Sequence, residues 1–107
     1  MQPIDKLIQL LDLPDSDYWS DDACEQARNI IDGSSELIFS HLLKEWKDWS
    51  PNRQEHLAYI LGSGTSKNEK QLIEQMLNAP DADVVYRAKE AMDEIVQNLK
   101  RVIGSQP

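Results

Sequence analysis

The sequence predicts an all-α domain of about six helices that stack as antiparallel hairpins, with an irregular helical bundle as the alternative. Two observations lead to this fold class. Apolar residues recur at helical spacing along nearly all of the 107 residues, and no segment shows the strict alternation of a half-buried strand. The chain also resembles itself at a spacing of about thirty residues, as stacked hairpins do.

A single domain is expected over residues 1–107, since a chain of this length can bury one core. Within it, residues 1–13 would form an N-terminal capping helix and residues 20–103 the hairpin repeats. Gly and Pro are sparse and the apolar content is ordinary, so the composition disfavours disorder.

The first three helices are recognised from apolar stripes and from residues that begin or end a helix. Pro14 is expected to end the first. Ser20 is the expected N-cap of the second, because its hydroxyl can accept hydrogen bonds from free N–H groups of the first turn, and Gly33 is expected to end that helix. The third would begin at Ser34 or Ser35. The stripes are Ile4, Leu7, Ile8 and Leu11, then Ala23, Cys24, Ala27, Ile30 and Ile31, then Leu37, Ile38, Phe39, Leu42, Leu43 and Trp46.

The last three helices have clearer start signals. Ser50 is a good N-cap, and Pro51 follows it at the first helical position, where a missing N–H costs nothing. Ser66 and Glu69 have the spacing of a capping box for the fifth helix. The sixth helix has two candidate caps and one expected end: Asp81, Asp83 and Gly104.

The repeat is visible when the chain is compared with itself. A shift of thirty positions brings Trp19-Ser20 onto Trp49-Ser50, and a further shift of thirty-one brings Ser50 onto Asp81. Expected caps therefore coincide with caps, and the apolar stripes behind them coincide as well. In a stacked array each hairpin has an apolar face that the next hairpin covers, so the repeat favours stacking.

Two segments resemble HEAT repeats. Residues 72–92, "LIEQMLNAPDADVVYRAKEAM", resemble the second helix of one repeat followed by the first helix of the next. Residues 57–62, "LAYILG", resemble the end of a first helix. The resemblance spans residues 20–103, is strongest over residues 50–95, and implies a short α-solenoid.

The resemblance also makes statements about the turn and about the binding surface. HEAT repeats commonly carry an arginine directly after the valine of the turn, but Val85 has that position here and Arg87 follows two residues later. The salt bridge that usually braces the turn is therefore in question. Partners of HEAT-like arrays bind a groove formed by second helices, here residues 36–47 and 67–78.

Charge and composition narrow the class of partner. A net charge of −8 and a pI near 4.6 argue against a nucleic-acid ligand, because phosphate binding depends on Lys and Arg. Cys24 is the single cysteine, so no disulfide can form within the chain. The N-terminal residues lack the apolar run of a signal peptide, and no apolar run is long enough to span a membrane. We expect a cytoplasmic protein without membrane association, and the sequence leaves its oligomeric state open.

No motif indicates catalysis, a metal or a cofactor. His41 and His56 fit no metal-ligand spacing and are expected to be partly exposed. Cys24 lies in an apolar stripe among acids, which raise the pKa of a thiol, so a buried structural thiol is expected rather than a nucleophile. Residues 62–66, "GSGTS", lack the lysine of a phosphate-binding loop and are expected to form a turn. A small helical enzyme is the least favoured class.

The negative charge is concentrated in the N-terminal third. Residues 1–36 hold nine acids and two bases, a net of −7. Tyr18 and Trp19 lie inside the acidic segment, residues 12–22, which holds five aspartates and no base. An acidic surface can cover the basic active site of a nuclease, and aromatic side chains supply the buried anchors of an interface.

Small acidic HEAT-like proteins resemble the immunity proteins of bacterial toxin systems, including contact-dependent growth inhibition. This resemblance implies that the chain binds a cognate basic toxin, expected to be a nuclease, and blocks its active site. A HEAT-like adaptor or regulatory subunit of another basic protein is the alternative. Trp19 is expected to be structural and to pack near Cys24. The expected partner-binding residues are acidic or aromatic: Asp15, Asp17, Tyr18, Asp21, Asp22, Glu45, Asp48 and Trp49.

Overall fold

The computed structural model describes residues 3–14, 16, 18–34 and 36–104, and every regular element in this part of the chain is helical. A π-helical turn, Trp19–Ala23, leads into the second helix, and a 3-10 turn, Trp46–Asp48, follows the third. The six α-helices are α1 (Pro3–Leu11), α2 (Cys24–Gly33), α3 (Leu37–Glu45), α4 (Pro51–Ile60), α5 (Lys67–Met76) and α6 (Ala82–Gly104). The predicted all-α class with about six helices is confirmed.

The start signals of the last three helices act as the sequence predicts. The Ser50 hydroxyl accepts a hydrogen bond from the N–H three residues later, with Pro51 in the first turn of α4. The Ser66 hydroxyl accepts from two N–H groups of the first turn of α5. Of the two candidate caps of α6, Asp81 and Asp83, it is Asp81 that caps the helix. Its carboxylate accepts two backbone N–H groups of the first turn.

The starts of α2 and α3 differ from the prediction. Ser20 lies inside the π-helical turn and does not precede the helix. The hydroxyl of the upstream Ser16 accepts the N–H of Trp19 at 3.3 Å, and Tyr18 directly precedes the π-helical turn. Ser34 ends α2, where its hydroxyl donates back to a carbonyl of that helix, and Ser35 lies outside the described residues.

Helix contacts follow the thirty-residue spacing of the sequence. α4 packs against α2 on one side and α6 on the other, so the first helices of successive hairpins are neighbours. α3 packs against α5, and α5 against α6. α1 covers the other end of the molecule, where it contacts α2, α3 and α4. Each helix therefore buries its apolar stripe against helices of the next or the previous hairpin.

The core contains most of the predicted apolar stripes, but Cys24, expected to be buried, is only half-buried, and Leu37 and His56 depart further from the expected burial. Leu37 is 70% exposed, because it lies outside the buried face of α3. That face is centred on Ile38 and Leu42. His56, expected to be partly exposed, is only 3% exposed. Its Nδ1–H donates to the carbonyl of Leu11 at 2.8 Å, so the end of α1 supplies a hydrogen-bond acceptor that makes burial possible.

A buried ion pair joins α2 to α5. The Arg28 guanidinium donates to both carboxylate oxygens of Glu69, at 2.8 and 2.9 Å, and Glu69 is 1% exposed. The same carboxylate accepts the N–H of Gly62 at 2.6 Å. The capping-box prediction is therefore half right. Ser66 caps α5, but Glu69 serves the ion pair, since a buried carboxylate is stable only when a cation and hydrogen-bond donors surround it.

Residues 62–66 form the expected turn between α4 and α5. Gly62 has a φ of +105°, and a Cβ at this position would lie 2.7 Å from the carbonyl oxygen of Ala91 in α6. The side-chain amide of Asn98 in α6 donates to the Gly62 carbonyl at 2.9 Å. The glycine thus allows the turn to lie directly against the backbone of α6.

Candidate protein-binding surface

The acidic segment continues directly into α2. The backbone is helical from Tyr18 onwards, and the N–H of Cys24 donates to the carbonyl of Trp19, the hydrogen bond of a π turn. Trp19 is buried within this turn, whereas Asp21 and Asp22 are exposed. π turns are rare in proteins, and those that occur often lie at functional sites. The turn therefore displays two adjacent carboxylates beside a buried indole.

Trp19 holds this segment onto α1 and α4. Its indole N–H donates to the carbonyl of Leu10 at 2.9 Å, and the side chain is 2% exposed. The ring stacks on His56, with centroids 3.8 Å apart, and meets Tyr59 edge-on at 5.2 Å. The predicted structural role of Trp19 is confirmed, but its ring partners lie on α4, whereas the sequence suggested Cys24.

The residues predicted for binding around the π turn are solvent-facing where the structure describes them. Tyr18 is 55% exposed, directly beside buried Trp19. Within the described part of the chain, Asp21 and Asp22 form no ion pair. Asp15 and Asp17 lie outside the described residues. One exposed ring and two unneutralised carboxylates thus share this end of the molecule.

Arg53 in α4 links the start of the acidic segment to Trp49. Its guanidinium donates to both carboxylate oxygens of Asp12, each at 2.8 Å, and lies 5.1 Å from the centre of the Trp49 ring. The hydrogen bonds to Asp12 raise the pKa of Arg53 above its ordinary value. The charge of Asp12 is therefore neutralised, and Trp49 is half-buried beneath a cation.

Exposed Glu45 and Asp48 form a second group with half-buried Trp49, at the connection between α3 and α4. A carboxylate oxygen of Glu45 lies 3.9 Å from Nδ1 of His41 in the same helix. Arg53 connects this group to the acidic segment, because it contacts both Trp49 and Asp12. The predicted binding residues consequently form two groups, one at the π turn and one before α4.

Two exposed tyrosines were not predicted as site residues. Tyr59 of α4 is 42% exposed and Tyr86 of α6 is 58% exposed. The guanidinium of Arg87 lies 5.1 Å from the centre of the Tyr59 ring and 5.5 Å from that of Tyr86. Arg87 also pairs with Glu55 in α4 at 3.5 Å and with Glu90 at 3.2 Å. The salt bridge to Glu55 thus connects α6 to α4.

The sequence contains a signal for these tyrosines. Tyr59 lies four residues after Glu55, so both residues follow one polar ridge of α4, where a large aromatic ring is unusual. These rings lie on the row of first helices, α2, α4 and α6. The HEAT resemblance instead implies a binding surface on the second helices.

Cys24 is half-buried at the start of α2. Burial raises the pKa of its thiol, and the negative charges of Glu25 and Asp21 add to this effect. A raised pKa lowers the fraction of thiolate at neutral pH, which disfavours a nucleophilic role.

Neither a cluster of metal ligands nor a membrane-spanning helix occurs in the described part of the chain. Among these residues, no three His, Cys, Asp or Glu side chains converge as metal ligands would. None of the described helices combines the length and the hydrophobicity needed to cross a lipid bilayer.

Comparisons with protein-family models, curated proteins and solved structures each find no match. The function is therefore inferred from the surface itself.

Proposed function

We propose that this chain is an immunity protein, a non-catalytic helical module that binds a basic toxin domain and covers its active site. A nuclease is the expected class of toxin. The observation that carries the proposal is the acidic and aromatic surface at the π turn, where Tyr18, Asp21 and Asp22 are exposed around a buried Trp19.

A rigid base supports a binding role for this surface. Trp19 is hydrogen-bonded to α1 through Leu10 and stacked on His56 of α4, so the turn is held by two other helices. A surface that is ordered before association loses less conformational freedom on binding. Exposed tyrosines such as Tyr18 add contact area at low entropic cost, which is why they are common in interfaces.

The charges of this region fit a basic partner. Asp21, Asp22 and Glu25 are exposed and form no ion pair within the described residues, whereas the carboxylates of Asp12 and Asp32 are engaged by arginines. A nuclease concentrates positive charge where it holds phosphates. An acidic surface complements that charge, and long-range attraction accelerates the encounter.

The test begins with the gene directly upstream of the gene for this chain. We expect expression of that gene in a bacterial host to stop growth and co-expression of this chain to restore it. With the purified pair, Asp21→Lys/Asp22→Lys should weaken the complex by about tenfold or more, because two attractions become repulsions. Affinity is measured by isothermal titration calorimetry and protection by colony counts.

The matched control is Glu74→Lys/Asp93→Lys. It changes the net charge by the same amount, but at exposed positions of α5 and α6. We expect it to bind and protect like the unmodified chain. Undiminished affinity of the Asp21→Lys/Asp22→Lys variant at raised salt would exclude the π-turn surface as the interface.

The adaptor hypothesis predicts a different result from the same assay. If the chain regulates another basic protein, the upstream gene is harmless when it is expressed alone. Growth arrest that this chain relieves thus separates an immunity protein from an adaptor.

A further inference from the structure

A depression of about 270 Å³ lies between α2, α4 and α6. Cys24 and Glu25 line it from α2, Tyr59 from α4 and Glu94 from α6, and Leu61 contributes apolar surface. Its volume is below the range of sites for drug-sized ligands, so it suits a single side chain better than a whole small molecule.

The lining combines apolar surface with uncompensated negative charge. Leu61 is buried beneath the surface, whereas Glu25 and Glu94 are exposed on opposite walls. Within the described part of the chain, neither carboxylate forms an ion pair. Arg28 also lines the depression, but its guanidinium is engaged by Glu69 and Asp32. The depression therefore offers a long cationic side chain apolar contact for its stem and two carboxylates for its head.

The protein already has a comparable arrangement next to this depression. The guanidinium of Arg87 lies 5.1 Å from the centre of the Tyr59 ring and pairs with Glu55 and Glu90. Tyr59 can thus accommodate a guanidinium between carboxylates, the combination found where cations bind aromatic rings. The same residue forms a wall of the depression.

We infer that the depression between α2, α4 and α6 receives an arginine or lysine side chain of the partner protein, with Glu25 and Glu94 as its counter-charges and Tyr59 as its aromatic wall. This inference rests on the proposed function, since it needs a basic protein partner. It extends the interface from the π turn across α4 to α6, over the row of first helices.

The probe is N-acetyl-arginine methylamide, titrated into the isotopically labelled chain and followed by proton–nitrogen correlation spectra. We expect the largest shifts at the backbone amides of Glu25, Tyr59, Ser63 and Glu94. The neutral isostere N-acetyl-citrulline methylamide should shift these signals much less. Glu25→Gln/Glu94→Gln should weaken arginine binding roughly three- to tenfold, as expected for the loss of two exposed attractions.

Glu74→Gln/Asp83→Asn is the matched control, because it removes the same charge at exposed positions away from the depression and should leave the arginine affinity unchanged. Equal binding of citrulline and arginine would overturn the inference, and so would equal losses in the two variants or shifts spread over the whole acidic surface. The titration contains no toxin. A negative titration would therefore contradict the inferred site but not the immunity function. A negative survival assay would contradict the immunity function but not arginine binding in the depression.

Discussion

Gly62 shows how one residue can depend on two distant parts of the fold. Its φ of +105° is strained for any residue with a Cβ, and a Cβ there would lie 2.7 Å from a carbonyl oxygen of α6. Its N–H also donates to the buried carboxylate of Glu69. The glycine-rich sequence predicts a turn, but the reason for glycine at this position lies in α6, about thirty residues further on.

Substitution of Gly62 by alanine should therefore destabilise the fold. We expect Gly62→Ala to lower the free energy of unfolding by about 2–4 kcal/mol, from backbone strain together with the clash with Ala91. Urea unfolding followed by circular dichroism measures this loss. Gly33→Ala is the control, because a Cβ there meets nothing within 4 Å, and it should change stability by less than about 1 kcal/mol. Similar losses for both variants would contradict the explanation.

His56 illustrates what a sequence pattern misses at a single residue. An isolated histidine beside Leu57 indicates a polar position at the edge of a stripe. In the fold it is buried, because the carbonyl of Leu11 accepts from Nδ1 and Trp19 covers the ring. Its Nε2 is buried without a hydrogen-bond partner among the described residues. Burial here depends on α1, which the local sequence around His56 does not contain.

At the scale of helices, periodicity predicts the bodies well and the starts less well. The apolar stripes follow from residues within one helix, so local sequence is sufficient. A start is a choice between capping residues of similar strength. Ser16 and Ser20 are both residues that favour an N-cap. In the structure, the Ser16 hydroxyl accepts the N–H of Trp19, and Trp19 is buried.

The ion pair between α2 and α5 should be one of the costliest contacts to break. We expect Glu69→Leu to lower the free energy of unfolding by about 3–5 kcal/mol, because Arg28 loses its buried carboxylate and keeps only the exposed Asp32, and the N–H of Gly62 loses its acceptor. Arg28→Met/Glu69→Leu should recover much of this loss, since no buried charge remains and the carboxylate of Asp32 is exposed to water. Urea unfolding measures each variant.

The exposed pair Asp12–Arg53 provides the comparison. The side chain of Asp12 is 43% exposed, so Asp12→Asn should cost less than about 1 kcal/mol despite the equally short hydrogen bonds. If Glu69→Leu lowered the free energy of unfolding no more than Asp12→Asn, burial of the ion pair would make no difference to the cost of breaking it. A double variant no more stable than Glu69→Leu would likewise contradict the explanation.

At the scale of the molecule, the net charge of −8 is distributed unevenly. Arginines engage the exposed carboxylates of Asp12 and Asp32 and the buried carboxylate of Glu69, which compensates part of the negative charge. The exposed carboxylates at the π turn and around Tyr59 are among those that remain available to a partner. This distribution predicts attraction that extends beyond direct contact.

Association with the proposed basic toxin should therefore depend strongly on salt. We expect the association rate to fall by about tenfold or more between about 20 and 500 mM NaCl, because the screening length shortens to a few ångströms. The dissociation rate should change less, since it depends on contacts within the complex. Stopped-flow fluorescence measures both rates. An association rate independent of salt would contradict electrostatic steering.

The sequence by itself determined the all-α class, the bodies of six helices and the caps Ser50 and Ser66, because these depend on interactions between residues a few positions apart. It also located the acidic segment, since charge is a property of composition. The tertiary structure decided the burial of His56, the partner of Glu69 and the grouping of Tyr59, Tyr86 and Arg87. These features join residues from different helices, and their contacts exist only once the hairpins have packed.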